Sequence, residues 1–328
     1  MPKPAIAIAR AVFPEVVERL RTHFDVATNQ DDSPMPPDEL ATFAQGKAGL
    51  LCTGSERIDS ALLAACPQLT ICANMAVGYN NFDLDAMTRA RVLATNTPDV
   101  LTETTADFGF ALLMAAARRI TESEHFLRAG RWRRWSYDMF AGQDIHGSTL
   151  GIIGMGRIGQ GIARRGALGF GMRVIYHNRS RLDPATEAAC QARHVSKLEL
   201  LQSADHVVLV VPYSAASHHT IGANELAHMK PTSVLVNIAR GGIVDDVALA
   251  DALREGRIAA AGLDVFEGEP QLHPALLALS NVVLTPHIAS ASVPTRLAMA
   301  NLAADNLIDF LLHGRARTAL NAQALGIV

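Results

Sequence analysis

Sulfur chemistry has little to draw on in this chain. Its 328 residues include four cysteines, Cys52, Cys66, Cys72 and Cys190, with no CxxC pair and no Cys/His cluster at zinc spacing. Leu50-Leu51 precedes Cys52 and Thr70-Ile71 precedes Cys72. Buried free thiols are therefore expected, not a disulfide framework. No apolar run reaches the ~18 residues of a membrane span. The opening Met-Pro-Lys-Pro-Ala-Ile-Ala-Ile-Ala lacks the long apolar stretch of a secretory signal. Basic charge is not in excess: 29 Lys+Arg against 32 Asp+Glu leave a net −3, which argues against a general nucleic-acid binder. Low-complexity segments and fixed-period repeats are absent too. What remains is an ordinary globular balance, 49% hydrophobic and 19% charged, which excludes a disordered chain. The length suggests about two domains at roughly 150 residues each, large enough to bury a core unaided. A soluble cytoplasmic protein is expected.

Short apolar runs alternate with helix-length segments. Strands are expected at Ala5–Ala9, Ala48–Cys52, Leu69–Ala73 and Val92–Ala94, with a helix at Pro14–Phe24. Thr102–Ile120 reads as one strong helix with an apolar face through Phe108, Leu112, Leu113 and Ala116. The aromatic, basic, glycine-punctuated stretch from Arg128 to Gly147 reads as an irregular loop. A second series follows, with six strands at Leu150–Gly154, Arg173–His177, His206–Val211, Val234–Ile238, Ala260–Val265 and Val282–Thr285. Helices are expected at Ile158–Leu168 and Pro294–Leu312. Strands alternating with helices imply parallel, doubly wound sheets, so the fold class is α/β, with two layered domains and a cleft between them.

Gly154-Met155-Gly156-Arg157-Ile158-Gly159 is a G-x-G-x-x-G between an expected strand and an expected helix. In that setting the first glycine makes the tight turn, the second lets backbone approach a pyrophosphate and the third lets helix pack on strand. The helix N-terminus then offers N–H groups to phosphates. A dinucleotide preferring NAD would find an acid about 20 residues on, at the end of the next strand. That end reads His177-Asn178-Arg179-Ser180-Arg181, with no acid before Asp183. Arg179 and Arg181 suit a 2′-phosphate, with Ser180 as a hydrogen-bond donor, so NADP(H) is expected over NAD(H), which stays possible.

Three polar residues sit at or just beyond strand ends: Arg240 before Gly241-Gly242, Glu269 before Pro270 and His287 after Thr285-Pro286. Ligands of open α/β sheets bind outside such carboxyl ends. Hydride transfer to a 2-oxo acid needs a cation for the carboxylate, which a guanidinium binds bidentately. It also needs a proton donor near neutral pKa, commonly imidazole, and a neighbouring carboxylate favours the imidazolium. Arg240 is thus the candidate anchor, His287 the acid/base and Glu269 its partner.

With these motifs, and with Ala76-Val77-Gly78-Tyr79-Asn80-Asn81-Phe82-Asp83, Asn237-Ile238-Ala239-Arg240-Gly241-Gly242, Ala261-Gly262-Leu263-Asp264-Val265-Phe266 and Thr285-Pro286-His287-Ile288-Ala289-Ser290, the chain resembles the D-isomer-specific 2-hydroxyacid dehydrogenases over nearly its whole length. The resemblance implies a flavodoxin-like discontinuous substrate domain (1–100 plus 291–328), a Rossmann-type dinucleotide domain (101–290), a homodimer, and catalysis by Arg240, Glu269 and His287. It implies that Val77 and Gly78 hold the substrate carboxylate by backbone N–H, and that Trp135 and Met139 shape the pocket. Thr105 would lie near the cofactor phosphates, Asp264 and Ser290 near the carboxamide, and Val211, Pro212 and Ile238 on the nicotinamide side. Asn80 departs from the Asp common in that loop. The segment 97–106 is similar to glyoxylate/hydroxypyruvate reductases, and the surroundings of Trp135 and Met139 to 2-ketogluconate reductases. Reduction of glyoxylate and hydroxypyruvate is the expected activity. The alternatives are 2-ketogluconate reduction, another NAD(H)-dependent D-2-hydroxyacid dehydrogenase, or a dinucleotide-sensing interaction module.

Other clusters have plainer readings. Arg128, Arg131, Arg133 and Arg134, interleaved with Trp132 and Trp135, suit loop packing or a subunit interface. His218-His219 looks like a metal pair, but no third ligand at suitable spacing follows it in sequence, so no metal site is expected.

Overall fold

The computed structural model describes residues 2–315 and 317–327. The chain divides into two compact units, one from the residues up to Leu101 together with those from Ala291, the other Thr102–Ser290.

The first unit is built on five strands, β1 (Ala5–Ile8), β2 (Asp25–Thr28), β3 (Gly49–Cys52), β4 (Ile71–Asn74) and β5 (Leu93–Thr95). They pair in parallel in the order β2-β1-β3-β4-β5, a flavodoxin-like order. The central strands are apolar on both faces, as parallel strands between two helix layers must be. In β1, Ala7 faces one apolar cluster while Ile6 and Ile8 face another. In β3, Leu50 and Cys52 face the first and Leu51 the second. The helix Val293–His313 closes the second face, bringing Ala300, Ala303, Ala304 and Leu307 onto Ile6, Ile8, Leu51 and Leu93. β2 was not anticipated: it lies at the sheet edge and its Asp25 is exposed.

The second unit holds seven parallel strands, β6 (Thr149–Ile153), β7 (Arg173–His177), β8 (Ala192–His194), β9 (His206–Leu209), β10 (Val234–Asn237), β11 (Ala260–Leu263) and β12 (Val282–Leu284). Their order is β12-β11-β10-β9-β6-β7-β8, the doubly wound Rossmann arrangement plus one strand. Six of these strands are expected from the sequence; β8, another edge strand, is the seventh. Alternation again splits the strands between two clusters, with Ile153, Val207 and Leu209 on one face and Leu150, Ile152 and Val208 on the other. The order reverses between β6 and β9, and there the glycine-rich loop emerges.

Two expected helices are interrupted. Thr102–Ala117 stops short, Arg119 takes a left-handed φ of 53°, and a second helix runs Ile120–Arg128. Arg157–Arg164 continues as a π-helical turn, Arg165–Gly169. From 129 to 148 there is neither helix nor strand, as expected. Part of its basic-aromatic character is local packing: Arg131 lies over the Phe126 ring at 4.9 Å and Arg119 over Phe140 at 5.1 Å. All four cysteines are free and buried. Among the described residues, no helix is long and apolar enough to cross a membrane.

Candidate active site

The glycine loop leaves β6 at the point where the sheet reverses. Gly154 adopts φ +102°, and a Cβ there would strike the Val210 backbone at 2.7 Å. A Cβ on Gly159 would lie 2.4 Å from the Gly154 carbonyl oxygen, so the helix Arg157–Arg164 seats directly on the turn. Gly156, the N-cap of that helix, differs: a Cβ there would meet nothing within 4 Å. The three glycines thus answer to a turn, an open approach and a tight helix contact, as a dinucleotide loop requires. Met155 is buried, and Arg157 and Ile158 form the first turn. Thr105 sits one residue before Ala106, which packs where a Cβ on Gly161 would touch it at 2.9 Å. Among the described residues the buried Thr105 Oγ1 has no hydrogen-bond partner, so it is open to a phosphate oxygen.

At the end of β7, Asn178 Oδ1 accepts the Met155 N–H at 2.7 Å, tying the strand end to the loop. Arg179 and Ser180 are exposed. Arg181 is committed elsewhere, in a two-pronged pair with Glu187 at 2.9 and 2.7 Å. The buried Glu187 also accepts from Tyr176 Oη at 2.7 Å, and that hydroxyl accepts the Leu182 N–H. The Arg181 guanidinium, with Tyr176, holds the Glu187 carboxyl down to about 2. The sequence reading of two arginines available for a 2′-phosphate is thereby revised. Glu187 lies past the strand end, on the helix Pro184–Cys190 that folds back, and it engages Arg181.

Arg240, Glu269 and His287 gather on loops that follow β10, β11 and β12. Asn237 organises the first loop: its Oδ1 accepts the Ala239 N–H at 3.0 Å and its Nδ2 donates to the Arg240 carbonyl. Burial lowers the Arg240 pKa, and the Glu269 carboxylate opposes that shift. Glu269 Oε1 accepts the Phe266 N–H at 2.8 Å, and its Oε2 lies 2.9 Å from His287 Nδ1. Burial pushes the Glu269 carboxyl up, but the His287 contact, the Phe266 N–H and Arg240 together bring it below its usual value.

His287 stands at a left-handed φ of 54°, a conformation costly for a non-glycine residue unless its surroundings impose it. Its N–H points to the carbonyls of Asp264 and Thr285. The buried Asp264 accepts from Thr285 Oγ1 and from the Ile288 and Ala289 N–H groups, each at 2.8 Å. Burial raises the Asp264 pKa against those bonds. Asp264, read from sequence only as a neighbour of the carboxamide, thus also anchors the loop that presents His287. Ser290 ends that loop. Ile238 is buried beyond β10, and Val211 and Pro212 follow β9.

Val77 and Gly78 belong to the first unit, on the loop after β4. Their carbonyls accept from Asn96 Nδ2 at 2.8 Å and Asn74 Nδ2 at 3.1 Å. Neither asparagine was singled out in the sequence, since side-chain bonds to backbone follow no spacing rule. Trp135 and Met139 lie on the 129–148 loop, where the Trp135 side chain is largely exposed.

A family model described as D-isomer specific 2-hydroxyacid dehydrogenase, NAD binding domain, matches residues 110–289. The chain is 48% identical over 312 residues to a glyoxylate reductase of Thermococcus gammatolerans, covering 94% of this chain and 93% of that one. It is 46% identical over 329 residues to a glyoxylate reductase of Thermococcus onnurineus, covering 99% and 98%. Its fold matches the crystal structure of an NADPH-dependent glyoxylate/hydroxypyruvate reductase from Sinorhizobium meliloti in complex with NADP and malonate. That match has a TM-score of 0.85 and 34% identity, over 97% of each chain. The chain therefore belongs to the D-isomer specific 2-hydroxyacid dehydrogenases, oxidoreductases that act on the CH–OH group of 2-hydroxy acids.

Proposed function

We propose that this protein reduces glyoxylate and hydroxypyruvate to the corresponding D-2-hydroxy acids, with NADPH preferred over NADH. The observation that carries the reading is the 2.9 Å contact between Glu269 and His287 on strand-end loops of the unit that holds Arg240 and the glycine loop. Relatives named glyoxylate reductase support the substrate class, and the Sinorhizobium meliloti structure supports the cofactor. Within this reading, 1–100 plus 291–328 form the substrate domain and 101–290 the dinucleotide domain. Two copies pair as a cytoplasmic homodimer.

Each residue then has a task. A dihydronicotinamide held by this unit would supply the hydride that reduces the carbonyl carbon of the 2-oxo acid. Arg240 holds the substrate carboxylate and polarises the carbonyl. On the first unit, the Val77 and Gly78 N–H groups are donors for a carboxylate. His287, whose Nδ1 is engaged by Glu269, gives a proton from Nε2 to the forming alkoxide. Glu269 fixes the ring orientation and stabilises the imidazolium. Thr105 and the backbone from Gly154 to Gly159, with Met155, Arg157 and Ile158 between, hold the pyrophosphate. Asn178 sets the loop, and Arg179 and Ser180 receive the 2′-phosphate. Val211, Pro212, Ile238, Asp264 and Ser290 would hold the nicotinamide, and Trp135 and Met139 would bound the pocket.

Initial rates of NADPH and NADH oxidation, measured in parallel against glyoxylate, hydroxypyruvate, pyruvate and 2-ketogluconate, test the proposal. NADPH should lead with glyoxylate or hydroxypyruvate. The Arg181–Glu187 pair removes one cation from the 2′-phosphate side and gives the NAD(H) alternative its best support. A lead for NADH would overturn the cofactor assignment, and a lead for 2-ketogluconate the substrate assignment.

A further inference from the structure

The stretch 213–220 follows β9 and lies outside the chemistry assigned above. Its two adjacent histidines stack ring on ring, with centroids 3.8 Å apart and 22° between planes. The sequence offers them no third ligand at close spacing. The fold supplies one 48 residues further on: Glu267 Oε2 stands 3.0 Å from His219 Nε2. One ring nitrogen from each histidine and one Glu267 oxygen all lie within 4.8 Å of one another, and no second such trio occurs among the described residues.

The backbones that carry these side chains are fixed. His219 N–H donates to the Gly242 carbonyl at 2.8 Å, and His218 N–H to the Ser214 carbonyl at 3.0 Å. Glu267 N–H donates to the buried Asp246 carboxylate at 3.0 Å. Gly242 leaves room for the His218 ring, since a Cβ there would sit 3.3 Å from Nδ1. Tyr213 Oη and His218 Nδ1 are 3.2 Å apart, a contact that orients the ring. Asp245 stands 3.9 Å from His219 Nδ1, so the opposite side of that ring also faces a carboxylate, the usual outer partner of a metal-bound imidazole. His218 and Glu267 are exposed and His219 is half-buried, so an ion can enter from solvent.

We propose that His218, His219 and Glu267 form a binding site for a divalent transition-metal ion of the zinc class, with solvent at a fourth position. Two imidazoles and one carboxylate suit Zn²⁺, Co²⁺ or Ni²⁺ and suit Mg²⁺ or Ca²⁺ poorly. Ligand bonds of about 2.0–2.2 Å put tetrahedral donors roughly 3.3–3.6 Å apart, so Glu267 and His219 at 3.0 Å are already at ligand spacing and the widest separation, within 4.8 Å, closes by roughly an ångström. An ion held there links the 213–220 stretch to the 264–269 loop, two residues from Glu269. The site itself does not depend on the catalytic reading.

Chelator-treated protein is titrated with Zn²⁺ by calorimetry and, separately, with Co²⁺ while its visible absorption is recorded. The expected result is one equivalent bound, with the intense visible bands of four-coordinate Co²⁺ displaced by Zn²⁺. His218→Ala and Glu267→Gln should each weaken Zn²⁺ binding at least about tenfold and abolish the Co²⁺ bands, with thermal unfolding of the metal-free protein unchanged for His218→Ala. Equal affinity in the wild type and His218→Ala would place the ion elsewhere and overturn the proposal. So would the absence of stoichiometric binding, or Co²⁺ spectra typical only of six-coordinate aquo ions.

Discussion

Glu269 divides its carboxylate between two partners, giving Oε2 to His287 Nδ1 at 2.9 Å and Oε1 to a backbone N–H of its own loop. One side chain therefore sets both the direction of the imidazole and the shape of the turn, after β11, that carries Glu269 itself. Removing the imidazole should remove proton transfer and little else. His287→Asn is expected to lower kcat by about 10²- to 10⁴-fold, the usual worth of a positioned acid/base. NADPH affinity, read by fluorescence titration, should be unchanged. Glu269→Gln should fall between wild type and that variant, because the ring is retained and its support weakened.

The glycine loop allows a paired test of two kinds of requirement. Gly159→Ala places a Cβ 2.4 Å from a backbone oxygen, so it should cost about 1–3 kcal/mol, as overpacking does, and lower Tm. Gly156→Ala meets no protein atom and sits in extended backbone, so Tm of the free protein should hold. Its cost should appear only as weaker NADPH binding, measured by calorimetry.

In the proposed reading, cofactor choice rests on Arg179, since Arg181 is committed to Glu187. Arg179→Ala should reduce kcat/KM with NADPH by about tenfold, or ~1.4 kcal/mol, and leave NADH kinetics nearly unchanged. An equal loss with both cofactors would mean that the side chain does not read the 2′-phosphate.

Asp246 gives a pH dependence of definite sign. Burial raises its carboxyl to about 6 from 3.8; the Glu267 N–H opposes this, the Glu267 and Asp245 charges add to it, and His273 counters it. The folded state holds this proton more tightly than the unfolded state. The resulting stability is fully present below about pH 4 and is lost as pH rises through 6, by up to ~3 kcal/mol. Asp246→Asn should flatten that part of the profile, so urea unfolding at pH 4.5 and 7.5 should differ less in the variant than in the wild type.

Much of this architecture is written in apolar runs. Leu50-Leu51-Cys52 and Val234-Leu235-Val236 lie in strands covered on both sides, so continuous hydrophobicity marks them in the sequence. Asp25–Thr28 and Ala192–His194 run along sheet edges, where one polar side suffices, and so leave no run to find. The break at Arg119 has no glycine or proline to announce it. The strand-end placement of Arg240, Glu269 and His287 was legible because parallel sheets deliver such residues to one side. Glu187 and Glu267 were not: the turn into the helix Pro184–Cys190 brings Glu187 back to Arg181, and the fold brings Glu267 to His219 from 48 residues away. Asn74, Asn96 and Asn237 stayed hidden too, because they act on backbone carbonyls and N–H groups.

The first unit draws on both ends of the chain, and this sets an order of events on the ribosome. Ile6, Ile8, Leu51 and Leu93 are made before residues 102–290, and the helix that covers them, Val293–His313, after. At roughly 5–20 residues per second, making the intervening 102–290 leaves that sheet face covered only by the helix Pro14–His23 for tens of seconds. During synthesis the second unit is the one able to reach its full sheet first, and the five-stranded sheet waits, sticky on one side, for its final helix.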